Sequence, residues 1–285
     1  MTWQDAIENA SKDLGTKIHD ARSNAEYLAM HLLEVWNKTE MRKFLGSSLS
    51  PEEVTKYQEL VSRRMRHEPL QHITGETEFY GLRLLCSPSA LIPRPDTEIL
   101  VEETLKEAAK YSGKEIKILD MGTGSGIIAL ALASKLSDSK IIGIDISADA
   151  LSVAEKNRDR LKIQNVLFEQ IDFFDDKAME KFSCSIDLFV SNPPYISKEE
   201  FNSLEKEVRE FDPRIALTDE SDGLSFYRRI AEFVPGILRQ GANIIVEIGY
   251  GGTNEVKNIF LEKGFTIKGV AKDLQGIERV LVINR

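Results

Sequence analysis

From residue 98 onward, short apolar segments alternate with longer amphipathic ones. EIKILDMG, KIIGIDI, IDLFVSN and ANIIVEIG have the character of buried strands, and segments such as GIIALALASKL and SADALSVAEKNRDRL have helical spacing. This alternation predicts an α/β fold, with a mostly parallel sheet covered by helices on both faces. The last two strands, FTIKGVAKD and RVLVINR, are joined only by LQGIE, which predicts a hairpin and an antiparallel last strand.

The first 74 residues have a different pattern, because their apolar positions recur at helical spacing. In SPEEVTKYQELVSRRM, Ser50 is the predicted N-cap, Pro51 the first helical residue and Glu53 the partner that completes a capping box. Residues 75–97 contain short strand-like segments divided by Gly and Pro. The sequence therefore predicts a small all-α domain at 1–74, a β-hairpin linker at 75–97 and an α/β domain at 98–285.

The charge and composition limit the classes of partner. The 285 residues carry a net charge of −9, whereas a groove that follows a phosphate backbone usually has a basic balance. The N-terminus has early acidic residues and no apolar core, and no apolar run approaches the ~20 residues of a membrane span. We therefore expect a soluble cytoplasmic protein that does not bind DNA directly and whose two cysteines are reduced thiols.

The four histidines all lie in the first 72 residues, at His19, His31, His67 and His72. Chemistry in the α/β domain would therefore proceed without a histidine base or ligand. Ser-His-Asp hydrolysis and His-ligated zinc are excluded there, and no metal site is predicted.

The segment ILDMGTGSGIIALALA predicts a strand, a glycine turn and a helix. Ligands of open α/β sheets bind at the carboxyl ends of the strands. The spacing G-x-G-x-G differs from the dinucleotide fingerprint G-x-G-x-x-G. At the end of the next strand, Asp145 can accept hydrogen bonds from two ribose hydroxyls. After the third strand, Asp172 can accept a hydrogen bond from the amino group of an adenine, and Phe173 can pack on the adenine ring. Together these features predict a site for an adenosine moiety without a pyrophosphate.

Over residues 98–285 this constellation resembles the class I S-adenosylmethionine-dependent methyltransferases. The resemblance implies a Rossmann-like sheet of seven strands with a reversed last strand. It also implies S-adenosylmethionine as the cofactor, with S-adenosylhomocysteine as the product. The expected cofactor-binding residues are Gly122, Thr123, Gly124, Ser125, Gly126, Asp145, Asp172, Phe173 and Asn192.

The fourth predicted strand ends in SNPPYIS, where two prolines form a rigid turn that cannot continue a central strand. A planar NH2 group offers two N–H donors, which the side-chain oxygen of Asn192 and the carbonyl of Pro193 can accept. These oxygens would also stabilise positive charge that develops on the nitrogen during methyl transfer. Tyr195 can stack on the flat acceptor, and the prolines fix the loop beforehand. The predicted catalytic residues are Asn192, Pro193 and Tyr195, and the same three with Pro194 are the predicted substrate-binding residues.

Several further segments narrow the resemblance: PLQHITGETEFYG, LIPRPDTEILVE, VSNPPYI and FDPRIALTDESDGLSFYR. With the glycine loop, they are similar to the HemK-type peptide chain release factor glutamine methyltransferases, which have a small helical domain, a hairpin linker and a methyltransferase domain. The resemblance implies methylation of the glutamine side-chain amide in the Gly-Gly-Gln loop of release factors, with the helical domain recognising the substrate. Phe173 departs from the Trp often found there in the family. IPRPDTE and DPRIAL are expected to shape the acceptor pocket, with Arg94 and Arg214 as structural salt-bridge partners.

Three alternatives stay open at this point. A glutamine methyltransferase acting on a ribosomal protein would share nearly every motif. A DNA adenine methyltransferase would use the same tetrapeptide, but it would need an electropositive face and a base-flipping pocket. A non-catalytic adaptor is disfavoured by the intact glycine loop and tetrapeptide. The resemblance also implies a monomer.

Overall fold

The computed structural model describes residues 1–111 and 113–284. Within these ranges the chain divides into two compact units, Met1–Glu76 with Glu205–Phe211, and Thr77–Leu204 with Asp212–Arg285. No helix in the described ranges combines the length and the apolar character needed to cross a membrane.

The N-terminal unit is built from helices, as its sequence pattern predicts. Its core contains Trp3, Leu28 and Tyr57, and the Tyr57 hydroxyl donates to the Ala25 carbonyl at 2.8 Å. The predicted capping box at Ser50 is confirmed. The helices are α1 Trp3–Leu14, α2 Ala21–Leu32, α3 Lys38–Met41, α4 Pro51–Met65 and α5 Leu70–Thr74, with a 3₁₀ turn at Arg42–Phe44.

A short segment from far along the chain belongs to the N-terminal unit. Helix α11 (Lys206–Phe211) lies within this segment, residues 205–211. The Arg64 guanidinium, which is buried, forms an ion pair of 2.7 Å with Glu207. The sequence gives no local signal of this association, because the two residues are far apart in the chain.

Two small strands, β1 Glu76–Phe79 and β2 Leu82–Leu85, pair with each other. The main sheet has seven strands in the order β5-β4-β3-β6-β7-β9-β8. All neighbouring pairs are parallel except those of β9, which is antiparallel to both β7 and β8. This confirms the predicted α/β fold and its reversed last strand. The strands are β3 Lys117–Met121, β4 Lys140–Asp145, β5 Val166–Gln170, β6 Ile186–Ser191, β7 Leu238–Glu247, β8 Thr266–Lys272 and β9 Glu278–Asn284; residue 285 of the predicted last strand lies outside the described residues.

Helices cover both faces of the sheet, because successive strand residues point to opposite sides. In β3, Ile118 packs in one apolar cluster with α6 (Thr97–Ala108), α7 (Ile127–Lys135) and α8 (Ala148–Leu161). Leu119 packs in another with α13 (Ser225–Phe233) and α14 (Thr253–Glu262). Helix α13 ends at Phe233, and a 3₁₀ turn containing Pro235 follows it. The helices of this unit are α6 Thr97–Ala108, α7 Ile127–Lys135, α8 Ala148–Leu161, α9 Asp176–Met179, α10 Lys198–Phe201, α12 Arg214–Leu217, α13 Ser225–Phe233 and α14 Thr253–Glu262, with 3₁₀ turns at Ala109–Tyr111, Glu180–Phe182 and Val234–Gly236.

The strand order reverses beside β3, which creates the crevice where open α/β sheets bind ligands. The chain passes outward from β3 through β4 to β5 and then returns to the other side of β3 as β6. Met121 pairs with Ser191 at the carboxyl ends of β3 and β6. The glycine loop that starts at Gly122 and the tetrapeptide that starts at Asn192 therefore begin side by side.

Candidate active site

A cavity of about 360 Å³ lies at the carboxyl edge of the sheet. This volume falls within the range of about 300–1,000 Å³ typical of small-molecule and cofactor sites. Most of the predicted site residues line the cavity, whereas Gly126, Pro193 and Tyr195 are not among its lining residues. The predicted residues that line it are Gly122, Thr123, Gly124, Ser125, Asp145, Asp172, Phe173, Asn192 and Pro194.

The third glycine of the loop has a packing role. Gly126 has a φ of +82° at the start of α7, and a Cβ there would lie 2.7 Å from the Phe168 ring and 3.0 Å from the Ala154 Cβ. Any side chain at this position would therefore strain the backbone and collide with the core. Gly126 brings α7 close to the sheet, and Gly122 and Gly124 form the part of the loop that lines the cavity.

A buried carboxyl, that of Asp120, forms hydrogen bonds with the glycine loop and with the helix that follows it. Asp120 Oδ2 accepts hydrogen bonds from the Thr123 hydroxyl at 2.6 Å and from the Ala129 N–H, in the first turn of α7, at 3.2 Å. Burial raises the pKa of Asp120 to about 7, although these two hydrogen bonds lower it. Asp120 therefore links the strand end, the loop and the helix N-terminus.

The acid after β4 contacts the glycine loop directly. Asp145 Oδ2 accepts a hydrogen bond from the Gly124 N–H at 2.8 Å, and Oδ1 accepts one from the Ser147 N–H at 2.9 Å. Burial raises the pKa of Asp145, and the backbone hydrogen bonds oppose this effect. Each carboxylate oxygen keeps a second lone pair for a hydroxyl donor in the cavity.

Aromatic rings form one wall of the cavity. Phe173 is buried, whereas the neighbouring Phe174 is 49% exposed and meets Phe226 edge to face, with 5.2 Å between the ring centroids. The Arg229 guanidinium donates to the Phe173 carbonyl at 3.1 Å, which fixes this loop. The sequence singled out Phe173, but Phe226 comes from α13 and was not predicted.

The side-chain amide of Asn192 has a defined partner. Its Nδ2 donates to the hydroxyl oxygen of Thr97 at 3.3 Å, and Thr97 is the first residue of α6. Because the NH2 end is turned to Thr97, the carbonyl oxygen of Asn192 is the atom left for a ligand. This is the orientation that binding of an NH2 group requires.

The other end of the tetrapeptide is anchored in the core. The Tyr195 hydroxyl donates to Glu247 Oε1 at 3.3 Å, and its ring packs so closely on Gly249 that a Cβ there would lie 2.9 Å from the ring. In this structure Tyr195 therefore anchors the tetrapeptide to Glu247 and Gly249. Its predicted stacking on the acceptor stays a prediction.

The segments IPRPDTE and DPRIAL meet at the cavity. Arg94 Nη2 pairs with the buried Asp212 at 2.6 Å, and Arg214 pairs with Glu220. Both arginines are therefore salt-bridge partners, as predicted. The residues that these segments contribute to the cavity lining are Pro93, Arg94, Thr97, Pro213, Ile215 and Ala216.

Comparisons with known proteins identify the family. A family model described as the PrmC N-terminal domain matches residues 5–75, and one described as a methyltransferase domain matches residues 112–219. The chain is 39% identical over 264 residues to a protein named release factor glutamine methyltransferase from Geobacter sulfurreducens, covering 93% of this chain and 89% of that protein. A protein of the same name from Koribacter versatilis is 36% identical over 283 residues, covering 99% of this chain and 98% of that protein. The chain belongs to the release factor glutamine methyltransferase family.

This membership confirms the family resemblance that the sequence motifs indicate. A solved methyltransferase from Pyrococcus furiosus, 17% identical, has a TM-score of 0.51 and covers 72% of this chain and 90% of that one. At this identity the likeness concerns the fold alone. Two residues that hold the tetrapeptide in this member of the family, Thr97 and Glu247, were not singled out as site residues, although Thr97 lies in the segment IPRPDTE that was expected to shape the acceptor pocket. The one signal for Glu247 was a charged residue inside the apolar run ANIIVEIG.

Proposed function

We propose that this protein transfers a methyl group from S-adenosylmethionine to the side-chain amide nitrogen of the glutamine in the Gly-Gly-Gln loop of peptide chain release factors. The observation that carries the proposal is the Asn192 amide, whose NH2 end is held by Thr97 at the cavity edge. Membership of the release factor glutamine methyltransferase family supports the substrate class. We assign recognition of the substrate protein to the N-terminal helical domain.

The cavity residues fit the adenosyl group of the cofactor. Asp145 is placed to accept hydrogen bonds from ribose hydroxyls, and Phe173, Phe174 and Phe226 provide ring faces and edges for a base. Gly124 approaches the cavity with a φ of +56°, in the left-handed region that favours glycine. When bound, S-adenosylmethionine supplies an electrophilic methyl group on a sulfonium centre.

The residues of the tetrapeptide have separate tasks towards the acceptor. A glutamine amide nitrogen is a weak nucleophile, because its lone pair is delocalised into the carbonyl. In our proposal the Asn192 oxygen and the Pro193 carbonyl each accept one of its N–H groups and orient the nitrogen. As positive charge develops on the nitrogen, these two oxygens stabilise it in a site where the donors and acceptors are already in place. The prolines keep the loop rigid, so little ordering is required at the moment of reaction.

The proposal is tested by methyl transfer from labelled S-adenosylmethionine to three acceptors: a release factor, ribosomal proteins and duplex DNA. We expect the release factor to be labelled and a Gln→Ala change in its Gly-Gly-Gln loop to abolish the labelling. Labelling of a ribosomal protein or DNA in place of the release factor would contradict the assignment. Labelling of the release factor at another residue would also contradict it.

A further inference from the structure

A buried side-chain amide in α8 joins two segments of the chain that line the cavity. Asn157, which is 0% exposed, accepts a hydrogen bond from the Leu85 N–H on Oδ1 at 2.6 Å and donates from Nδ2 to the Leu85 carbonyl at 3.2 Å. This is the exchange of two N–H···O bonds by which opposite residues pair in an antiparallel sheet. The Asn157 NH2 group also donates to the Ser125 carbonyl at 3.1 Å. One side chain therefore holds the end of β2 and the glycine loop at the same time.

Both backbone groups that Asn157 holds lead into the cavity wall. Ser125 lines the cavity itself. Leu85 is the last residue of β2, and the chain continues from it to Ala90, which also lines the cavity. Ala90 lies against the glycine loop, since a Cβ at Gly124 would be 3.8 Å from the Ala90 Cβ. The glycine loop and the segment 86–91 therefore meet at the cavity, and Asn157 connects them.

The hydrogen bonds further along this segment are longer. The Ala90 N–H donates to the Ser87 carbonyl at 3.3 Å, and the N–H of the residue after the segment, Ile92, donates to Asp212 Oδ1 at 3.4 Å. Both exceed the range of about 2.7–3.2 Å usual for such bonds. The 2.6 Å hydrogen bond between Leu85 and Asn157 is therefore a strong constraint on where the segment begins.

The partners of Asn157 require a carboxamide between them. Leu85 presents one donor and one acceptor, and Ser125 presents an acceptor, so the group between them must offer one acceptor and two donors. A carboxamide does so. An ionised carboxylate of the same size offers acceptors alone, which would leave the two carbonyls without these donors in a buried place.

We infer that Asn157 is a positioning residue for the cofactor, which fixes the glycine loop against the segment 86–91 and so sets the affinity of the cavity for S-adenosylmethionine. The inference rests on the proposed function, because it takes the adenosyl cofactor as the occupant of the cavity. Asn157 is not among the residues that line the cavity, so it acts through Ser125 and Ala90. Neither segment carries a residue that we propose to orient the acceptor. The effect should therefore concern binding of the cofactor and leave the chemical step intact.

Two variants break these hydrogen bonds, and a second asparagine provides the matched control. Asn157→Asp keeps the size of the side chain and the acceptor for the Leu85 N–H, but it removes both N–H donors. Asn157→Ala removes all three hydrogen bonds without burying a carboxylate, so it serves if the first variant does not fold. Asn165 is the control, because its Nδ2 also donates to two backbone carbonyls, those of Ala133 at 3.3 Å and Leu136 at 2.8 Å. These carbonyls lie at the end of α7 that is remote from the glycine loop.

The measurements are calorimetry with S-adenosylhomocysteine and steady-state kinetics with the release factor, both well below the melting temperature of each variant. We expect the Asn157 variants to raise the dissociation constant about 10-fold or more, the change in equilibrium constant that about one or two lost hydrogen bonds produce. The KM for S-adenosylmethionine should rise in parallel, whereas kcat at saturating cofactor should stay within about threefold of the wild type, as for a residue that acts on binding alone. Asn165→Asp and Asn165→Ala should lower the melting temperature and keep the wild-type dissociation constant.

The inference is overturned if a folded Asn157 variant binds S-adenosylhomocysteine like the wild type, or if the Asn165 variants lose as much affinity. A loss of kcat as large as the loss of affinity would also overturn it. Failure of the proposed function is seen separately, in the wild type, as labelling of a ribosomal protein or DNA in place of the release factor. The binding comparison does not depend on which acceptor is labelled, so the two failures are distinguishable.

Discussion

The backbone N–H of Gly124 donates a hydrogen bond of 2.8 Å to Oδ2 of Asp145, which joins the glycine loop after β3 to the end of β4. The same carboxyl accepts from Ser147 at the start of α8. Asp145 therefore shapes the loop and also presents its free lone pairs to the cavity.

We expect Asp145→Ala to weaken cofactor binding more than it slows catalysis. The substitution removes the acceptors for hydroxyl donors and releases the Gly124 N–H, and lost hydrogen bonds to a charged group cost about 1.5–3 kcal/mol each. Calorimetry with S-adenosylhomocysteine should give a dissociation constant raised at least tenfold. Asp149→Ala, which removes an exposed carboxylate four residues later, is the control and should bind like the wild type. Equal affinity for Asp145→Ala would exclude Asp145 from the cofactor site.

Asn192→Ala should slow catalysis much more than it weakens cofactor binding. Its amide is the proposed acceptor of a substrate N–H, so its loss removes stabilisation of the developing charge, an effect typically worth about 10²–10³-fold in kcat. The Thr97 hydroxyl loses a donor at the same time. Kinetics on the release factor should therefore show a large loss of kcat, and calorimetry a much smaller loss of cofactor affinity. Parallel losses in both measurements would contradict a role at the acceptor.

The strands, the glycine loop and the tetrapeptide could be predicted because each is a local pattern in the sequence. The hydrogen bond between Asn192 and Thr97 spans 95 residues, and that between Tyr195 and Glu247 spans 52. Such pairs depend on the register of β6 against β7 and on the position of α6, which no local pattern encodes. A single acidic residue within an apolar strand is a weak indication of a buried, functional carboxyl. Glu247 in β7 and Asp120 in β3 both fit this pattern.

Gly126→Ala should destabilise the protein strongly, because two costs add. A residue with a side chain in the left-handed region costs about 1–2 kcal/mol, and a Cβ placed 2.7 Å from Phe168 adds an overpacking cost of about 1–3 kcal/mol. Gly241→Ala is the matched control: Gly241 has a φ of +79°, and its Cβ would meet no atom within 4 Å. Chemical denaturation should show the larger loss of unfolding free energy for Gly126→Ala. Equal losses would mean that the approach of α7 to the sheet is not limited by this glycine.

The contribution of Glu247 to the unfolding free energy should fall as the pH rises from about 4.5 to 7. Burial raises the pKa of Glu247 from 4.5 to about 7; the neighbouring Thr97 hydroxyl, the hydrogen bond from Tyr195 and the charge of Arg279 lower it, and the charge of Asp96 raises it. In this window the folded state holds a proton that the unfolded state has released, so the unfolding free energy decreases with pH. The difference between the unfolded and folded pKa values of Glu247 corresponds to a loss of about 3 kcal/mol of unfolding free energy across this window.

Glu247→Gln removes this group, so the unfolding free energy of the wild type should decrease relative to that of the variant as the pH rises from about 4.5 to 7. Some slope should remain, because burial also raises the pKa of Asp120 to about 7. Urea denaturation at a series of pH values gives the comparison, and the exposed Glu199→Gln is the control that should keep the wild-type slope. Identical slopes for Glu247→Gln and the wild type would mean that the pKa of Glu247 in the folded protein is not raised above its ordinary value.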